Sequence, residues 1–205
     1  MIKAFLSVLC AVFFIAGASY AQAPASAVKP AAANEEASRD ITARFGAVNT
    51  IQSRFVQEKR LSMLKEPVVS EGFFIFQKPS DIRWEYEKPF QSGFLISNGK
   101  TYRLEDGRKT LQKNPMAAGV AAQLLAWLTF DLHALSKQYA VSFFEGGVTL
   151  VPSGNSPVVK ITAWFSAENP QALSRVQMDE RGGDQTVLTF LNPLINQPLL
   201  PEAFE

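Results

Sequence analysis

The chain has 205 residues, 47% of them hydrophobic and 19% charged, with a formal net charge of +1. That length suits one domain, and so apolar a chain can bury a core, which argues against disorder. The near-neutral balance gives no sign of a nucleic-acid binder, and a single Cys with a single His excludes a disulfide framework and zinc sites built from four cysteines or from two cysteines and two histidines.

The chain opens with Lys3 and then runs almost unbroken in apolar residues from Ala4 to Gly17. Ser19-Tyr20-Ala21 puts small residues where a signal peptidase reads, so residues 1–21 are expected to be a cleaved secretory signal. The apolar run is too short for a span, which needs about 20 residues. Cys10 lies inside the run, after Leu9 and far from the cleavage point, so it does not form a lipobox. Losing Lys3 takes the formal net charge of the mature chain from +1 to zero.

Residues 22–33 form an Ala/Pro-rich stretch without periodicity, expected to be a flexible tether before a single domain at 34–205. Asn34 is placed to cap a helix whose Ile41, Phe45 and Val48 share one face. Strand patterns follow. Ile51 to Leu61 carries Ile51, Phe55 and Leu61 on one parity, and Val68 to Gln77 holds a Phe73-Phe74-Ile75-Phe76 run that needs cover on both faces. Ile82, Trp84 and Tyr86 alternate with Arg83 and Glu85. Strands at 91–97 and 100–104 flank Asn98-Gly99, a type I′ hairpin signal, and 108–112 follows.

Residues 116–130 are the one long helical interruption, rich in Ala and Leu. Strands resume at 139–145, 148–152, 158–166, 173–179 and 185–191, and residues 192–205 read as an irregular wrap. The expected fold is therefore mainly β. About eleven strands form a large, strongly curved antiparallel sheet that curls into a barrel or half-barrel, with an N-terminal helix and a central apolar helix to cover its open mouth or concave face. No G-x-S-x-G elbow accompanies His133, and Asp179, Glu180 and Asp184 sit at a turn, so neither an enzyme nor a cofactor is expected.

Phe55-Val56-Gln57, Gly72 to Pro79, Ile82 to Tyr86 with Pro89, and Ile96 to Tyr102 occur in an order that resembles the periplasmic outer-membrane lipoprotein carrier (LolA) family. The resemblance runs over roughly residues 36–204 and continues through Val148 to Pro152 and Met178-Asp179. It implies an unclosed, strongly curved antiparallel β-barrel covered by an N-terminal helix and a central apolar helical lid, in a non-enzymatic carrier for acylated lipoproteins. Cargo would come from an inner-membrane ABC-type release complex and pass to an outer-membrane receptor, with a monomer doing the carrying. Two departures stand out. Lys78 occupies the place before the turn proline where many carriers have an Arg tying the lid to the barrel. The chain also stops at Ala203-Phe204-Glu205, where family members usually continue into a further strand. These departures keep open an accessory carrier of a free lipid or glycolipid, and a protein-binding or sensor module is the reading from another class.

The candidate lipid-contacting residues are Phe55, Phe73, Ile75, Trp84, Tyr86, Phe94 and Ile96 on the strands, with Leu124, Leu125, Trp127 and Leu128 on the central helix. Phe73 and Ile75 must face away from Phe74 and Phe76, and the sequence leaves open which pair turns inward. Lys78 and Arg83 are the candidate lid-gating residues.

Overall fold

The computed structural model describes residues 32–113 and 126–205. A helix, α1 (Ala32–Gly46), precedes six strands: β1 (Thr50–Arg60), β2 (Val68–Gln77), β3 (Asp81–Lys88), β4 (Ser92–Ser97), β5 (Lys100–Glu105) and β6 (Arg108–Gln112). A short helix, α2 (Leu132–Ser136), leads into β7 (Tyr139–Phe144), β8 (Gly147–Pro152), β9 (Val158–Phe165), β10 (Leu173–Glu180) and β11 (Gln185–Ile195). A 3-10 turn at Pro201–Phe204 follows the last strand.

All eleven strands belong to one antiparallel sheet, ordered β6-β5-β4-β3-β2-β1-β11-β10-β9-β8-β7. Two meanders are thus joined by the pairing of the first strand with the last, and β6 and β7 stand at opposite ends. The sheet curls, because α1 meets elements far apart in that order. Phe45 borders Ile51 of β1 and Phe74 of β2, and its ring lies 5.6 Å from that of Phe165 on β9. This is the mainly β, antiparallel architecture that the strand spacing predicts, left unclosed as the family resemblance implies.

Turn chemistry explains much of the register. Asn98 and Gly99 have φ of 51° and 69°, the two left-handed residues a type I′ hairpin requires. Two boundaries differ from the sequence reading. Helix α1 begins at Ala32, so Asn34 lies inside it rather than capping it. β11 continues to Ile195 through Asn192 and Pro193, where the pairing with β1 shifts between Gln52 and Arg54. Such a bulge is where a proline can sit in a strand, because no ladder N–H is needed there.

Helix α1 closes one end of the barrel. Ile41, Phe45 and Val48 are all buried, as the spacing predicts. Lys78 fixes the C-terminal end of the helix by donating from Nζ to the Gly46 carbonyl at 2.5 Å. A cation there meets the negative end of the helix dipole and an unpaired carbonyl. Lys78→Met should lower stability by about 0.5–1 kcal/mol, read as a lower thermal midpoint, and Lys78→Arg should lose less.

Candidate functional site

The inner face of the sheet is an aromatic floor. Cross-strand partners place Phe55 beside Phe190 and Gly72, Phe74 beside Trp84, and Trp84 beside Phe94. Trp84 sits at the centre, with its ring centroid 4.4 Å from Phe55, 5.4 Å from Phe74 and 6.4 Å from Phe94. Tyr86 meets Phe55 edge-on at 5.3 Å, and Ile96 lies across from Ile82. Offset and edge-on rings of this kind add to the burial of apolar area.

Of the seven strand positions expected to line a cavity, Phe55, Trp84, Tyr86, Phe94 and Ile96 share this face. Phe73 and Ile75 do not. Their partners are Arg54 and Glu85 for Phe73, and Gln52 and Arg83 for Ile75, all on the outer face. Phe74 and Phe76 take the inner positions instead, and both are buried. The reason is register: Gly72 pairs with inward-facing Phe55, so every even residue of β2 turns inward.

Arg83 is also outside. Its Nε donates to Glu85 at 2.5 Å, and its Nη1 donates to the carbonyls of Ala203 at 3.2 Å and Glu202 at 3.4 Å. Those bonds clamp the C-terminal 3-10 turn over the outside of β3 and β4, where Leu95 is buried. This turn covers the outer side of β3 and β4, so Arg83 secures the chain end. Lys78 likewise engages the end of α1.

Leu124 and Leu125 lie outside the described residues. Trp127 and Leu128 belong to the end of a helical stretch that is described from Ala126, and both pack against the core. The helix stops sooner than the Ala/Leu pattern suggests. Asp131 N–H donates to the Ala126 carbonyl and Phe130 N–H to the Trp127 carbonyl, with Phe130 at φ 46°. That is a Schellman-type stop with Phe where Gly is usual. The left-handed backbone costs about 1–2 kcal/mol, and the Phe130 ring offsets it by packing 4.5 Å from Phe45 and 5.4 Å from Phe165. Between Phe45, Ile51, Phe74, Leu128 and Phe190 there remains a gap of about 20 Å³, enough for about one water. At that end the described side chains fill the space.

Towards the other end the inward row of β1 becomes polar. Gln57 stands opposite Ser70 and Leu188, and Lys59 opposite Val68 and Thr186. All four polar side chains are buried. The Tyr86 hydroxyl donates to Gln57 Oε1 at 2.9 Å. Lys59 Nζ lies 3.7 Å from Glu180 Oε1, the oxygen to which the Thr186 hydroxyl donates at 3.4 Å. The apolar parity of Ile51 and Phe55 was the available signal for this row. Composition does not reveal that Gln57 and Lys59 follow it inward.

Near this end Asp179 has its carboxyl held below the ordinary carboxylate value. Burial pushes it up, and hydrogen bonds from Gln185 and Gln177, together with Lys160, outweigh that effect. Lys160 Nζ is 3.2 Å away. A depressed folded value contributes stability above the unfolded value of about 3.9, and that contribution is lost as pH falls through the folded value. A carbon-13 NMR titration should find the Asp179 midpoint below the ordinary range, and Lys160→Met should raise it.

Comparison with known proteins agrees with this architecture. An outer-membrane lipoprotein carrier protein of Pseudoalteromonas translucida is 22% identical over 164 residues, covering 79% of this chain and 78% of its own. One from Cupriavidus taiwanensis is 26% identical over 192 residues, covering 89% and 85%. In fold, the chain is similar to a chain of the Pseudomonas aeruginosa MucA/MucB complex, with a TM-score of 0.52 and 13% identity. That match covers 82% of this chain but only 59% of the other. The family model described as outer membrane lipoprotein carrier protein LolA matches residues 46–205, from the end of α1 through every strand to the C-terminal turn, and the chain belongs to that family.

Proposed function

We propose that this chain is a soluble periplasmic carrier that shields the acyl chains of lipoproteins on the inner face of its open barrel. The observation that carries the reading is the continuous floor of Phe55, Phe74, Trp84, Phe94 and Phe190 on one side of an unclosed sheet. Each methylene kept from water there is worth about 0.8 kcal/mol, so an acyl anchor crosses an aqueous compartment bound rather than free. We extend the proposed lining to Tyr86, Ile96, Trp127 and Leu128, and to Leu124 and Leu125 on the sequence pattern alone. In this reading residues 1–21 direct export and residues 34–205, with the start of α1 at Ala32, form the carrier domain. Cargo comes from an inner-membrane ABC-type release complex and passes to an outer-membrane receptor, with no catalytic step and no cofactor. The names of the two carrier relatives support this reading.

The test is native mass spectrometry of the protein drawn gently from its own periplasm, followed by denaturation and identification of what is released. Lipoprotein adducts are the expected result. Free lipid or glycolipid alone would replace the proposal with an accessory lipid carrier. A lipid-free protein bound to another polypeptide would replace it with a protein-binding or sensor module.

A further inference from the structure

We propose that Gln57 and Ser70 form a subsite for the ester carbonyl of an acyl-linked lipid, at the end of the inner face remote from α1. The assignment rests on the carrier reading and adds to it the direction in which cargo lies.

Gln57 and Ser70 are each 1% exposed, and they face one another across β1 and β2. A buried polar group without a partner costs free energy, so its missing partner is informative. Gln57 Oε1 is satisfied by Tyr86, whereas Gln57 Nε2 and the Ser70 hydroxyl have no hydrogen-bond partner among the described residues. An amide nitrogen only donates, and a hydroxyl can donate beside it. The absent group is therefore an acceptor that reaches both.

Charge and surroundings narrow the acceptor. Lys59 is next in the inward row, but Glu180 lies 3.7 Å from it, so the local charge is balanced. A carboxylate or phosphate brought here would meet the Glu180 charge, and a neutral carbonyl would not. Leu188 flanks Gln57 on β11, and Phe55 lies two residues away on the same face of β1. Two residues of strand span about 7 Å. An acyl chain lying on the aromatic floor with its tail towards α1 brings its carbonyl to Gln57, while its headgroup lies beyond Lys59, at the end of the inner face remote from α1.

The test compares 1,2-dipalmitoylglycerol with 1,2-di-O-hexadecylglycerol, which matches its chains but lacks carbonyls. Displacement of a bound fluorescent probe, 1-anilinonaphthalene-8-sulfonate, reads both affinities on the mature protein. The wild type should prefer the diester by about tenfold. Ser70→Ala and Gln57→Leu should each reduce that preference to under about threefold, with diether affinity unchanged. Ser70→Ala removes a hydroxyl with no partner, so its melting temperature should not fall, and the diether arm reports that each variant still folds. Equal diester and diether binding by the wild type overturns the subsite and leaves the carrier reading intact. A diester preference that survives in both variants also overturns it. Palmitate binding tenfold more tightly than the diester overturns the ester assignment in favour of a carboxylate. Displacement by none of the three lipids overturns the subsite and the carrier reading together.

Discussion

Trp84→Ala is expected to lower the free energy of unfolding by about 3–5 kcal/mol, a large share of the 5–15 kcal/mol typical of a domain. The indole is 3% exposed and touches rings from β1, β2 and β4 at once. Alanine there removes the group that joins three neighbouring strands on their inner face, and no single side chain can move in to fill the space. Trp84→Phe keeps a ring in the stack and should cost less than half as much. Urea denaturation followed by far-ultraviolet circular dichroism reads both variants. A loss below about 1 kcal/mol for the alanine variant would show that the floor collapses freely around the gap. In that case Trp84 lines a cavity without supporting the sheet.

Gly72→Ala should be comparably damaging for a different reason. A Cβ at this position would stand 1.9 Å from the Glu85 carbonyl oxygen and 2.8 Å from the Phe55 ring. The ring can turn, but the carbonyl is backbone held in the β2–β3 ladder. Accommodating the methyl group forces the two strands apart beside the bulge between Glu71 and Gly72. A loss of about 3 kcal/mol or more is expected. Gly154→Ala is the control, because nothing lies within 4 Å of the added methyl group, and its effect should stay within about 0.5 kcal/mol. Equal midpoints for the two variants would remove the steric account.

Both predictions concern positions that the sequence marks only in part. Trp84 is legible as an inward residue because Ile82, Trp84 and Tyr86 alternate strictly with two charged residues. Gly72 belongs to a family-like motif, but nothing local says that a ring from β1 will lie over it. The same division runs through the proposed lipid contacts. The Phe73-Phe74-Ile75-Phe76 run is apolar on both parities, so periodicity cannot choose its inner pair. The choice follows from the pairing of Gly72 with Phe55 on one side and of Phe74 with Trp84 on the other. The structure likewise assigns Arg83 to the C-terminal turn and Lys78 to helix α1. The role of a charged side chain depends on which carbonyls the fold brings within its reach.

Sequence by itself determined the alternation. Strand spacing, the Asn98-Gly99 turn and the spacing of Ile41, Phe45 and Val48 report backbone geometry, which each short segment imposes locally through its own side chains. The number of strands, the antiparallel meander and the apolar character of one face all follow from that. Only the tertiary structure decided which parity of β2 faces inward and that Gln57 and Lys59 lie in the buried row. It also decided that Phe130, not Gly, stops the central helix. Those outcomes depend on the register between strands distant in sequence and on what packs over each face. The free energy that selects them is shared among residues that no window of the sequence contains.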